Sequence, residues 1–221
     1  MAIVKSILAI VAGYLLGSIP FGLIMGKIGY GIDIREFGSG NVGATNVFRV
    51  LGTLPGLLVL VGDFLKGALS LLLASYLFPN APTFLGSHEQ VVLTDATVVV
   101  LAGMAAILGH SWSIYLKFLG GKGVATGAGV LTVLAPNVAG ILFLIWLLIV
   151  ISTRYVSLAS ITIAFLLPLL MLYFQAGNYP YILFSILATI IIVYKHKPNI
   201  KRLLAGEELK LGFRSQEREG K

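Results

Sequence analysis

The chain has no cysteine. That excludes disulfides, thiolate metal sites and thioester nucleophiles, and leaves the redox compartment open. Charge is also scarce: 11% of the 221 residues are charged, where a soluble domain carries about a quarter. With nine acids and three histidines there is little material for a metal cage, so neither a metal nor a cofactor is expected. No repeat of 20 to 50 residues and no low-complexity segment interrupts the chain. What is abundant is apolar: 57% hydrophobic residues and a mean hydropathy of +0.96. One core of this size cannot hide that much apolar surface from water. The expectation is an all-α integral membrane protein, a single domain over residues 1–214 with a polar tail at 215–221.

A membrane-crossing helix needs about 20 apolar residues. Such runs fall at about 3–26, 53–78, 91–110, 139–153, 156–174 and 179–195. Val124 to Ala135 is apolar too, but at about 1.5 Å per residue it covers only half to two-thirds of the span, and Pro136-Asn137 breaks it from its successor. The pattern predicts about seven membrane segments, the fourth a short helix paired with the next as a hairpin. The first run lacks a cleavage site and continues into Gly17-Ser18-Ile19-Pro20, so it is read as retained rather than as a signal peptide.

The cations set the orientation. The first loop carries Lys27, Arg35 and Arg49, the third Lys117 and Lys122, the fifth Arg154, and the tail is basic from Lys195 onward. The loops at about 79–90, 136–138 and 175–178 contain no Lys or Arg. Lys5 opposes this pattern only mildly. The N-terminus is therefore expected outside and the C-terminus in the cytoplasm. The net charge of +7 is accounted for as a topology signal, and no nucleic acid is expected as a partner.

Three polar stretches fall on that cytoplasmic side. The first runs Gly38-Ser39-Gly40-Asn41-Val42-Gly43-Ala44-Thr45-Asn46 and on to Arg49. It is either an ordered interfacial loop with capping side chains or a site whose hydroxyl, amides and guanidinium hold a phosphate. The second runs from Gly109-His110 to Gly120-Gly121-Lys122-Gly123, either a flexible turn or a glycine cradle opening a helix towards an anion. It is not a Walker A loop, because Leu116 stands where the first glycine belongs and Gly123 where Ser or Thr does. The third, His196 to Lys210, contains Asn199 and Glu208, which attraction of a basic segment to anionic lipid does not explain. Within the second long run, Asp63 and Lys66 are read as a structural ion pair bracing the site.

Together the three stretches resemble the bacterial acyl-phosphate-dependent glycerol-3-phosphate acyltransferases, small polytopic enzymes. The resemblance covers nearly the whole chain. Ser113 stands where that family often has proline, and Leu119 where it often has lysine. The resemblance implies attack of the 1-hydroxyl of glycerol 3-phosphate on the carbonyl of an acyl phosphate at a bacterial inner membrane, the site facing the cytoplasm. Glycerol 3-phosphate, acyl phosphate and membrane lipids would be the partners. On this reading Ser39, Arg49 and Lys122 hold phosphate and Gly120, Gly121 and Gly123 cradle the acyl phosphate. Asn41, Asn46 and Asn199 orient the acceptor, and Glu208 braces the tail. His110 or His196 could take the hydroxyl proton, or an oxygen of the substrate phosphate could.

A transporter for an organic phosphate is the alternative, since short helices aimed at an anion occur there. Against it stand the outward loops without cations and the absence of a repeat. An acyl-CoA-dependent enzyme with a His-x4-Asp motif does not fit, as Leu93, Tyr115 and Lys201 occupy the acidic position. A CDP-alcohol phosphotransferase would need a carboxylate-rich metal motif that nine scattered acids do not make.

Overall fold

The computed structural model describes residues 2–81 and 93–212. The polar tail at 215–221 and most of the loop at 79–90 lie outside the described residues. Among these residues the regular structure is helical, apart from one antiparallel bridge between Ser113 and Leu119. Helix α1 (Ala2–Ser18) is followed by α2 (Phe21–Ile24), which a π-helical turn, Met25–Gly29, prolongs. Then come α3 (Ala44–Leu51), α4 (Thr53–Leu77), α5 (Leu93–Ser111) and α6 (Val124–Leu134). The last four are α7 (Pro136–Thr153), α8 (Val156–Phe174), α9 (Tyr179–Lys195) and α10 (Lys197–Leu204).

Every apolar run in the sequence forms a helix, and α6 is short as expected, with Pro136 at the first position of its successor. Four segments are long and apolar enough to cross a membrane: Ala2–Gly29, Thr53–Leu77, Pro136–Thr153 and Val156–Phe174. Helices α9 and α10 form a pair bent by 59° that passes as a fifth, while α5 and α6 are shorter apolar helices. Large apolar side chains such as Leu148, Ile151, Leu169 and Tyr173 remain exposed, as suits a protein whose outer surface meets lipid rather than water.

Without a hydrophobic force between helices in lipid, association depends on close packing, which small residues permit. Gly13 and Gly17 of α1 lie against Ala102 and Ala106 of α5, so near that a Cβ on either glycine would collide with the facing carbonyl. Helices α4 and α6 are joined in the same way: Gly67 lies against the Thr126 backbone and Gly129 against Phe64 and Ala68. Beyond these contacts, α7 packs on α8 and α8 on α9. The expected hairpin of α6 with α7 is present, but α6 is held chiefly by α4.

The Gly67–Thr126 contact positions the start of α6. Gly67→Val is expected to force these helices apart at a cost of about 1–3 kcal/mol. Thermal denaturation in detergent measures it, and an unchanged midpoint would contradict the packing described.

Candidate active site

The three polar stretches meet at one end of a cavity of about 620 Å³. Every candidate residue lines it except Gly120 and Gly121.

In the first stretch the chain turns through Gly38, at φ +57°, where a Cβ would strike Asn46 Oδ1. Asn46 is the strut of this loop. Its Nδ2 donates to the carbonyls of Ile34 and Phe37, both at 3.1 Å, and its Oδ1 accepts from the Ser39 amide at 2.8 Å and hydroxyl at 3.1 Å. That leaves the Asn46 amide committed to the loop, whereas among the described residues Asn41 uses only its Oδ1, which accepts from Gly43 N–H at 2.8 Å. Asp33 caps the short turn ahead of this loop and pairs with Arg35 at 2.6 Å. Its carboxyl is held well below the usual range, chiefly by the Arg35 hydrogen bond. Arg49 is buried; its Nη2 donates to Leu209 O at 2.7 Å, and its Nε has no partner among the described residues.

The second stretch folds back on itself, with Ser113 N–H donating to Leu119 O at 3.0 Å and Gly121 N–H to His110 O at 3.0 Å. Gly121 lies flat against the His110 imidazole, where a Cβ would collide with Nε2. Gly120 and Gly121 thus support the turn from behind, and Lys122 and Gly123 face the cavity. Behind His110 lies a buried charge cluster. His110 Nδ1 is 3.5 Å from Asp63 Oδ1, which is 2.7 Å from Lys66 Nζ. Lys66 in turn donates to Ile19 O at 2.8 Å. The expected Asp63–Lys66 pair is therefore present and extends to His110.

The third stretch enters at the α9–α10 bend. His196 Nδ1–H donates to Ile192 O at 2.7 Å, which in the neutral ring leaves the lone pair on Nε2. Glu208 is the hub of the tail, with Oε1 accepting from Asn199 at 2.7 Å and Ser157 at 2.9 Å, and Oε2 from Arg202 at 2.8 Å. Burial alone would raise its carboxyl; the Asn199, Ser157 and Arg202 hydrogen bonds outweigh that and hold it below the usual range.

Lys122 has no hydrogen-bond or ion-pair partner among the described residues. Burial pulls its ammonium down to about 8, Glu208 opposing and Arg202 and Arg49 adding to the shift. Two helix N-termini, those of α3 and α6, face the same polar end, and neither has a side-chain cap among the described residues. Their free N–H groups and dipoles favour an anion there. The rest of the cavity is mostly apolar, with Thr132 and Ser160 as polar exceptions, and runs between α6, α7, α8 and α9 past Leu131, Phe143, Leu167 and Phe184. A charged ligand head and a hydrocarbon tail are thus both provided for.

The family model described as glycerol-3-phosphate acyltransferase matches residues 7–206. The chain belongs to this family. It is 49% identical over 209 residues to glycerol-3-phosphate acyltransferase 2 of Moorella thermoacetica, covering 95% of this chain and 99% of that one. It is 47% identical to the glycerol-3-phosphate acyltransferase of Acaryochloris marina, covering 94% and 92%. Among solved structures, it is similar to PlsY (YgiH), an integral membrane glycerol 3-phosphate acyltransferase. The glycerol 3-phosphate form gives a TM-score of 0.82 at 41% identity, and the lysophosphatidic acid form 0.79 at 40%; each covers 94% of this chain and 96% of the other. Family membership decides for an enzyme over the transporter.

Both departures from the family pattern have a structural place. Ser113 is buried and its hydroxyl donates to Ser18 O at 2.6 Å, tying the turn to the end of α1. Leu119 is 61% exposed and does not line the cavity. Sequence reasoning missed Ser157 and the Asp63–His110 contact. A serine in an apolar helix opposite a buried acid leaves no local pattern, and Asp63 and His110 are 47 positions apart.

Because burial lowers the Lys122 ammonium to about 8, it is charged below that pH and loses its charge above it. Affinity for glycerol 3-phosphate is expected to weaken as pH rises through that value, by at most about tenfold per pH unit. Lys122→Arg should flatten this limb. Calorimetric titrations below and above the transition check it, and an equal alkaline loss in Lys122→Arg would rule Lys122 out as its source.

Proposed function

We propose that this protein transfers an acyl group from an acyl phosphate to the 1-hydroxyl of sn-glycerol 3-phosphate, giving lysophosphatidate and inorganic phosphate. The observation that carries the reading is one cavity with cations and free N–H groups at one end and an apolar slot at the other. The family match and the ligand forms named for the similar PlsY structures support the acceptor and product. The donor rests on the resemblance of the three motifs and on chemistry. An acyl phosphate is a mixed anhydride and already activated, so positioning can supply much of the rate, up to about 7–11 kcal/mol in well-aligned systems. Donors aimed at the developing oxyanion and the departing phosphate supply more.

In this reading Arg49, Lys122, Ser39 and the N–H groups opening α3 and α6 hold the two phosphates. Asn41 and Asn199 orient the acceptor, and His196 Nε2 accepts a hydrogen bond from its 2-hydroxyl, which does not react. Asn46 positions Ser39, Gly120 and Gly121 position Lys122 through His110, and Glu208 holds Asn199 and the tail. The 1-hydroxyl proton passes to an oxygen of the substrate phosphate as the C–O bond forms and the acyl–phosphate bond breaks.

The cation distribution supports seven membrane segments with α6 half-inserted, the N-terminus outside and the C-terminus in the cytoplasm of a bacterial cell. The acyltransferase domain spans 1–214, its apolar surface in contact with membrane lipids and its polar end facing the cytoplasm.

Two measurements test the proposal. Purified protein given glycerol 3-phosphate is expected to form lysophosphatidate with palmitoyl phosphate and not with palmitoyl-CoA. Product from neither donor would end the proposal, and product from the thioester alone would end the donor assignment. A general base contributes about a hundredfold or more. Single-turnover rates of His110→Ala and His196→Ala at saturating substrate are therefore expected to fall by less than that. A larger loss confined to the chemical step would make the histidine the base.

A further inference from the structure

In α1, α4 and α5 every glycine has a packing reason: a Cβ on Gly13, Gly17, Gly56, Gly62, Gly67, Gly103 or Gly109 would collide with a neighbouring element. Gly127 of α6 and Gly140 of α7 are different. Neither has the positive φ that favours glycine. Among the described residues, a Cβ on Gly140 would meet nothing within 4 Å, and one on Gly127 would find only ordinary contact with the Ile107 side chain, Cδ1 at 3.6 Å. Glycine inside a helix is less stable than alanine, so the absent side chains weaken both helices with no gain in packing. Both residues line the cavity.

Their placement along the cavity differs. Gly127 is one turn past Gly123, beside the polar end. Gly140 is in the second turn of α7, just beyond where α6 stops, so it lies towards the opposite end, and it is exposed. From His196 to Phe184, both cavity-lining, α9 measures twelve residues, or about 18 Å. One leaflet contributes about half of a hydrocarbon core that is about 30 Å thick. The slot is therefore as long as the acyl chains of the membrane around it.

We infer that Gly140 sets the longest acyl chain the slot accepts, and that Gly127 keeps open the passage every chain must use next to the reacting phosphates. The volume a side chain would take at either position is occupied by the chain of the donor and product. A side chain at 140 shortens the slot from its far end, leaving short chains room. A side chain at 127 obstructs chains of any length. This inference rests on the acyl-transfer reading above.

The test compares palmitoyl phosphate with octanoyl phosphate as donors to glycerol 3-phosphate, using the monodisperse full-length protein in detergent. Along the series Gly140→Ala, Gly140→Val and Gly140→Leu, the ratio of kcat/KM for palmitoyl over octanoyl donor is expected to fall stepwise. The last variant should lose about tenfold or more in that ratio, since one methylene in an apolar pocket is worth that much discrimination. KM for glycerol 3-phosphate should not move. In Gly127→Leu both donors should lose kcat/KM together. If the wild type forms lysophosphatidate from both donors and the ratio stays constant through the Gly140 series, the inference alone is overturned. If the wild type forms it from neither, the acyl-transfer reading fails as well.

Discussion

A charge buried inside a membrane bundle must be paired, because leaving one partner bare costs several kcal/mol. The Asp63–Lys66 pair meets that demand with the two groups 2.7 Å apart, and much of the site follows from where its remaining valences go. Lys66 reaches back to the carbonyl of Ile19, at the break after α1, and Asp63 reaches across to His110 at the end of α5. His110 in turn fixes the glycine turn, through its carbonyl on Gly121 N–H and its ring against the Gly121 backbone. One ion pair thus fixes three helices and the segment from which Lys122 projects. Lys122 itself has no partner among the described residues and lines the cavity, where an incoming anion can use it.

The same economy governs the other two stretches. Asn46 spends its whole amide on the loop that presents Ser39, and Glu208 spends both oxygens on the tail that presents Asn199. In each case a polar residue in the motif holds another, and only some members face the cavity with groups to spare. Preorganisation of this kind lets cations and amides act on developing charge without rearranging at the moment of reaction.

The helices were legible in the sequence because hydropathy and length encode them locally. Val124 to Leu134 is too short to span a membrane, and Pro136 can only open a new helix. The three polar stretches were legible because intramembrane polarity is rare. What they do for one another was not legible. Gly120 and Gly121 read as a phosphate cradle because glycine admits a ligand and an imidazole equally well, and only the packed structure distinguishes the two. The contacts of Ser157 and Arg154 with the tail were not legible for a related reason: each crosses more than fifty positions, and no periodicity records such contacts. The preference of α6 for α4 over α7 depends on where Gly67 and Gly129 face, which is a tertiary matter.

The tail also bears on the order in which the molecule is assembled. Leu209 O accepts from Arg49, Glu208 from Ser157, and Leu211 exchanges hydrogen bonds with Arg154 through both its amide and its carbonyl. These contacts knit α3, α8 and the α7–α8 corner together after every apolar helix has been synthesised. A nascent chain that has inserted α1 through α9 has its bilayer-embedded portion in place, yet Arg49, Asn199 and Arg202 still lack their acceptors. The hydrogen bonds that complete the polar end thus depend on a few residues near the carboxyl end. A chain cut before Glu208 would lack the acceptor that Asn199, Ser157 and Arg202 share.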